Sequence, residues 1–183
     1  MIKFILILFI SFIFSGDVDH IIFNKIAIED HSEMVEIYNP TNEIIDLSNY
    51  YLSDSDKYYN WVFGTSTPLS STDFIIKLPD GSQILPQDSF YFTTLSNDEY
   101  FEHYDEMPDV SLIDTDFEVS EIGSSSNLGL SDNAEMLVLF YWDNSSPIIK
   151  DVDYFLWGSN SRGVSKTTNE GYPFNDTIKE DQV

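Results

Sequence analysis

"SEMVEIYNPTNEIIDLSNYYLSD", residues 32–54, decides the fold, because its apolar side chains recur at every second position. Val35 and Ile37 fall on one side of the run while Met34, Glu36 and Tyr38 fall on the other, and a period of two marks a half-buried strand. Asn39-Pro40-Thr41-Asn42 follows with a side-chain acceptor and a proline of preset φ, the chemistry of a tight turn. Ile44 to Asp54 then reads as a short strand, a turn and a second strand with an acidic end.

The same period extends in both directions. In "HIIFNKIAIED", Ile22, Asn24, Ile26 and Ile28 share one face, with Phe23 and Lys25 opposite. Downstream, Pro79-Asp80-Gly81 and Pro86-Gln87-Asp88 punctuate the strands "DFIIKL", "SQIL" and "SFYFTTL". "EMLVLFYW" is apolar at nearly every position from Met136 to Trp142, so neither face can be wet, which predicts a central strand. In "KDVDYFLW", Asp151 and Asp153 alternate with Val152, Tyr154 and Leu156, which predicts a half-buried strand paired with it across the loop Asp143 to Pro147. Alanine is nearly absent while aromatics make up 15% of the chain, a composition that favours pleated strands over helices. Seven to nine short strands with turn signals between them predict an all-β fold, an antiparallel β-sandwich.

Residues 1–16 read as a secretory signal peptide: Lys3, the apolar run Phe4 to Phe14 broken by one serine, then Ser15 and Gly16. Such a run is too short to cross a hydrocarbon core, which takes about 20 residues, so export without membrane insertion is expected, with the product secreted or at the cell surface. The chain has no cysteine, so stability must come from its core. Roughly 165 residues remain after cleavage, enough for one domain. Net charge moves from −24 to −25 once Lys3 is removed, and the remaining basic residues are scattered singly, so nucleic acid is excluded as a partner. Residues 17–158 carry the strands. Within them Ser96 to Asn127 is an acidic insertion loop, in which "SNDEYFEHYDEM" has the makings of a short helix capped at Ser96 or Asn97. Residues 159–183 have few apolar side chains and read as a flexible tail or linker.

Taken in order, "FNKIAIED", "SEMVEIYNPTNEIIDLSNYYLSD", "YNWVFG", "ILPQDSFYF", "NLGLSDNAEMLVLFY" and "DVDYFLWG" resemble the strands of the lamin tail domain, a module found in nuclear lamins and in bacterial exported proteins. The resemblance covers roughly residues 20–158. It implies an immunoglobulin-like β-sandwich acting in interaction or architecture, with no shared catalytic residues. Asn49 stands where that family commonly has glycine, a substitution suited to a positive φ. The acidic segment 96–127 is longer than the usual connection and could carry a property of its own.

Candidate sites are few. No hydrolase motif is present, His20, His31 and His103 lie apart, and no catalytic residue is assigned. Glu36, between Met34 and Tyr38, is a lone carboxylate that reads as an acceptor at the sandwich edge. Asp46, Asp54 and Asp56 could offer oxygens to Ca2+ as a cofactor, though no Asp-x-Asp-x-Asp-Gly loop fixes their geometry. Asp114, Asp116 and Glu118 form a second acidic group with the same weakness. Tyr58, Tyr59 and Trp61, beside Tyr50 and Tyr51, could form an aromatic platform for a surface glycan, although alternation would send half of these rings into the core. Asn144-Ser-Ser and Asn175-Asp-Thr satisfy the glycosylation rule. The expected function is that of an exported, non-catalytic binding, adhesion or spacer module with a protein partner. A carbohydrate-binding module and an acidic Ca2+-dependent adhesion module are the alternatives.

Overall fold

The computed structural model of the chain describes residues 18–29, 31–63, 69–114, 121–122, 129–146, 149–159 and 163–164. The signal peptide and most of the expected tail lie outside the described residues. The strands are β1 (Ile22–Ala27), β2 (Met34–Tyr38), β3 (Ile45–Asp46), β4 (Tyr50–Ser53), β5 (Phe74–Lys77), β6 (Gln83–Ile84), β7 (Ser89–Thr93), β8 (Val110–Ser111), β9 (Glu121–Ile122), β10 (Glu135–Tyr141) and β11 (Lys150–Trp157). A 3-10 turn covers Tyr58–Phe63 and an α-helix, α1, covers Asn97–Tyr104. Seven of the strands have four or more residues, and these build the sandwich.

One sheet runs β1-β2-β7-β8, the other β11-β10-β4-β5-β9, and β3 pairs with β6 in a ribbon. The fold is all-β and sandwich-like. Val35 and Ile37 of β2 turn inward as the alternation predicts, meeting Phe92 of β7, Leu52 of β4 and Leu137 and Leu139 of β10. Phe74 and Phe92 bridge the sheets with ring centroids 5.6 Å apart. A second apolar cluster holds Met136, Val138 and Phe140 with Tyr51, Tyr58, Tyr154 and Leu156, so β10 is buried on both faces. That double burial is why its sequence shows no alternation, and β4 and β11 flank it as a central strand requires.

Two bulges depart from the simple period. In β1, Phe23 pairs with Ile37 but Lys25 pairs with Glu36, leaving Asn24 over. The extra residue reverses the face, so Phe23 packs on the main core together with Ile26 and Ile28. In β11, Leu139 pairs with Asp153 but Phe140 with Asp151, leaving Val152 over. The two aspartates are therefore buried, and not on a wet face as strict alternation would have them. Asp153 accepts the Phe23 N–H at 2.5 Å and the Tyr154 N–H at 2.7 Å, tying the edge of one sheet to the edge of the other.

The turns are built by side chains. Asn39 is fully buried, donates to the carbonyls of Glu43, Ile84 and Leu85, and accepts from Thr41, so it carries the chain from β2 into the β3–β6 ribbon. Asn49 does not take a positive φ: the turn closes by Tyr50 N–H to Leu47 carbonyl at 2.9 Å in an ordinary conformation.

The first part of the acidic insertion, residues 96–114, is more ordered than a loop. Ser96 accepts the Glu99 N–H while the Glu99 carboxylate accepts the Ser96 N–H, a complete capping box at the start of α1. The helix returns the chain to β8, which lies parallel to β7 beside it. Tyr104 donates to the Ser32 carbonyl at 2.6 Å, and Lys25 of β1 sits over the Tyr104 ring, so α1 lies across the outer side of the first sheet. The expected tail also begins inside the fold, since the Val164 N–H donates to the Tyr154 hydroxyl at 3.2 Å and its side chain packs on the second cluster.

Candidate functional site

Five of the residues singled out for ligand chemistry, Asp54, Asp56, Tyr58, Tyr59 and Trp61, follow β4 in the chain, where Ser53-Asp54-Ser55-Asp56 leaves the sheet, whereas Asp46 lies on the β3–β6 ribbon. Ser53 donates its hydroxyl to the Phe74 carbonyl at 2.7 Å, and Asp54 Oδ1 accepts the Phe74 N–H at 2.6 Å. Two consecutive side chains thus clamp both polar groups of one residue of β5. Ser53 Oγ also accepts the Ser55 N–H, and Ser55 Oγ accepts the Lys57 N–H, which starts the 3-10 turn. Tyr58 is carried inward by that turn.

Tyr58 is fully buried and donates to Asp151 Oδ2 at 2.6 Å. Its ring meets Phe140 at 5.4 Å and Tyr59 edge-on at 5.9 Å. The expected platform of Tyr58, Tyr59 and Trp61 is therefore corrected: Tyr58 is core, Tyr59 is half-buried against it, and the Trp61 side chain lies outside the description. A short 3-10 turn, in place of a strand, folds the tyrosine pair back onto the sheet. Tyr51 is also core, stacked on Phe140 at 5.0 Å with its hydroxyl on Asn144 Oδ1. Burial pushes the Tyr154 hydroxyl up to about 12, in keeping with its neutral roles as acceptor from Val164 and donor to the Met136 sulfur. Removing the Tyr58 hydroxyl as Tyr58→Phe takes a buried donor from Asp151 and should cost about 1–3 kcal/mol in urea unfolding, with the spectrum of the folded state unchanged. An unchanged midpoint would deny that bond any structural weight.

The three aspartates proposed for Ca2+ are not gathered. Asp46 is exposed on the ribbon and accepts from the Ser48 N–H and hydroxyl, bonds that hold its carboxyl below the usual range. Asp56 pairs with Lys57 at 3.0 Å. Asp54 is 1% exposed and burial, followed by the charges of Asp73 and Glu135, holds its carboxyl well above the usual range. Among the described residues no three Asp, Glu or His side chains converge as a metal set. Closeness in sequence misleads because Asp46 ends β3 of the ribbon whereas Asp54 follows β4 of the five-stranded sheet. Asp114 caps the Asn97 N–H at 2.6 Å, whereas Asp116 and Glu118 lie outside the described residues, as does Asn175.

Other acids are also used internally. Glu36 accepts from the Ser89 hydroxyl at 2.6 Å, but on β2, an interior strand between β1 and β7, and not at the expected sandwich edge. Glu33 accepts from Thr94, and Gly129 approaches its carboxylate so closely that a Cβ there would stand 2.9 Å from both oxygens. Sequence reasoning missed Glu33, Asp151 and Asp153; the only signal was their position beside strand residues of the core.

No family model, curated protein or solved structure matches the chain. The histidines are dispersed: His20 contacts Asp19, His31 sits at a positive φ, and His103 meets the Tyr104 ring on α1. What the arrangement can do chemically is hold strands together, since each of these buried carboxylates accepts from a backbone N–H or a hydroxyl of another element.

Proposed function

We propose that the chain is an exported, non-catalytic β-sandwich of the lamin tail type, acting as a binding and adhesion module at or outside the cell surface. The observation that carries this reading is the internal use of its buried acids: Asp54 on the Phe74 N–H, Asp151 on the Tyr58 hydroxyl and Asp153 on the Phe23 N–H. Carboxylates spent as acceptors between strands are a frame, and a frame works through the surface it presents. The order of the family-like stretches also supports it, since "MVEIY", "YYLS" and "EMLVLFY" fall on β2, β4 and β10 in turn.

The test is a fusion of residues 17–183 to a secreted reporter enzyme, expressed in the cells that make the protein. A severalfold larger share of the reporter is expected on washed cells than for the reporter alone. A share on washed cells no larger than that of the reporter alone would remove the adhesion role.

A further inference from the structure

Six large apolar side chains are exposed among the described residues, and three of them lie on one short segment. Phe101 in α1 is 46% exposed, Met107 just past its end 58%, and Ile113 beside its start 60%. Their positions are fixed. Ile113 and Asp114 present their N–H groups to Ser111 Oγ, which itself bonds the Leu95 carbonyl, and Asp114 caps Asn97, so residue 113 is held at the first turn of the helix. Phe101 follows Asn97 by one turn on the same side, while Tyr100 and Tyr104 face the sheet. The Asp105 N–H closes on the Phe101 carbonyl and turns the chain toward Met107. The three apolar groups thus mark the start, middle and end of a helix about 12 Å long.

Between them the surface is acidic. Asp98, Glu102, Asp105 and Glu106 are exposed there, and the stretch 98–114 contains no Lys or Arg. Isolated apolar side chains would be unremarkable, and a lone acidic cluster would be a solvated face. Apolar anchors spaced through acids on an ordered helix have a narrower complement.

We propose that the outer side of α1, with Met107 and Ile113, is the docking surface for a lysine- and arginine-rich amphipathic segment of a partner protein. Anionic membranes and nucleic acids are repelled by a chain of net charge −24, and a neutral apolar partner would leave the carboxylates desolvated without counter-charge. A basic segment with apolar residues at helical spacing satisfies both demands, because its cations meet the acids while its apolar side seats against Phe101. The proposal rests on the reading of the domain as an interaction module and supplies the partner class.

The probe is a synthetic 18-residue peptide with leucine at positions i, i+3, i+4 and i+7 and lysine elsewhere, compared with a peptide of equal charge carrying serine in place of leucine. Binding to the full mature chain is measured by anisotropy in 0.15 M salt, where charges are screened beyond about 8 Å. The leucine peptide is expected to bind at least tenfold tighter than the serine peptide. Phe101→Ser with Ile113→Ser should abolish that tenfold advantage, and Glu102→Lys with Glu106→Lys should weaken both peptides tenfold or more. Glu43→Lys with Asp80→Lys makes the same change of net charge at exposed positions in the β2–β3 and β5–β6 turns, and should alter binding less than twofold. All substituted side chains are exposed, and an unchanged thermal melt certifies each variant as folded. Equal weakening by the two lysine pairs, or a leucine advantage that survives the serine pair, overturns the proposal. If the α1 variants behave as expected while the reporter fusion shows no retention, the adhesion reading falls and the docking surface stands.

Discussion

Gly158→Ala is expected to lower the unfolding free energy by about 2–5 kcal/mol, from overpacking and a left-handed backbone together. Gly158 ends β11 at φ +74, and a Cβ added there would stand 1.8 Å from the Asn133 carbonyl oxygen and 2.7 Å from Ala134 Cα. Both are backbone atoms, so no rotamer change can make room. Nor can the facing turn retreat. Trp157 donates its indole N–H to the Ser131 carbonyl at 2.7 Å, and Glu135 is already paired with Trp157 in the β10–β11 ladder. Gly81→Ala is the matched control. Gly81 has φ +82 in the turn closed by Ser82 N–H to Pro79 carbonyl, but nothing lies within 4 Å of its added Cβ. Only the conformational cost remains there, about 1–2 kcal/mol. Equilibrium urea unfolding at 25 °C separates the two. Equal losses would mean that Gly158 is needed for its φ alone and that the close approach of the two turns contributes nothing.

The frame around that glycine was partly legible in the residues. Val35 and Ile37 declared the core face of β2 through their period, and the unbroken apolar run of β10 declared a strand with both faces covered. The helix at 97–104 was written in its capping box, a local device that depends on no distant partner. The bulges at Asn24 and Val152 were not legible, because a bulge is a property of a pair of strands and neither sequence alone marks it. Their consequence was the larger error: Asp151 and Asp153 read as wet from alternation, yet they face Tyr58 and Phe23. Site residues failed for a related reason. Tyr58, Tyr59 and Trp61 are neighbours in sequence, but which ring is exposed depends on a 3-10 turn whose start is set by the hydroxyls of Ser53 and Ser55. Asp46 and Asp54 are eight positions apart, but one ends β3 of the ribbon and the other follows β4 of the five-stranded sheet, a separation visible only once β3 is seen to pair with β6. The parallel placement of β8 beside β7 likewise needed the helix between them to be counted as a crossover.

Asp54→Asn is expected to raise the melting temperature at pH 8 and to remove much of the rise expected of the unaltered chain on mild acidification. The carboxyl of Asp54 is buried, and burial first, then the negative charges of Asp73 and Glu135, push its pKa well above the usual 3.8; the Phe74 N–H opposes them. Folding therefore strengthens proton binding at this group. The resulting cost is full above the raised pKa, shrinks as pH falls through it, and is gone below the unfolded value, at about 1.4 kcal/mol for every tenfold gain in proton affinity. Asp46, Glu99 and Asp143 have the opposite sign, since hydrogen bonds from Ser48, Ser96 and Ser146 hold their carboxyls low; what they contribute is present above the usual carboxylate value and lost as pH falls through the lowered ones. The two sets act in different windows, so stability should peak in mildly acidic solution. Asparagine keeps an oxygen for the Phe74 N–H and discards the charge, so the two proteins should converge as pH approaches about 4, the ordinary carboxylate value. Asp54→Leu removes the acceptor as well and leaves a buried N–H, a loss of about 1–3 kcal/mol relative to the asparagine variant that should not vary with pH. If the asparagine variant is instead less stable by the same margin in mildly alkaline and mildly acidic solution, then Asp54 is a favourably held anion, and the charges around it stabilise the end of β4 where repulsion is argued.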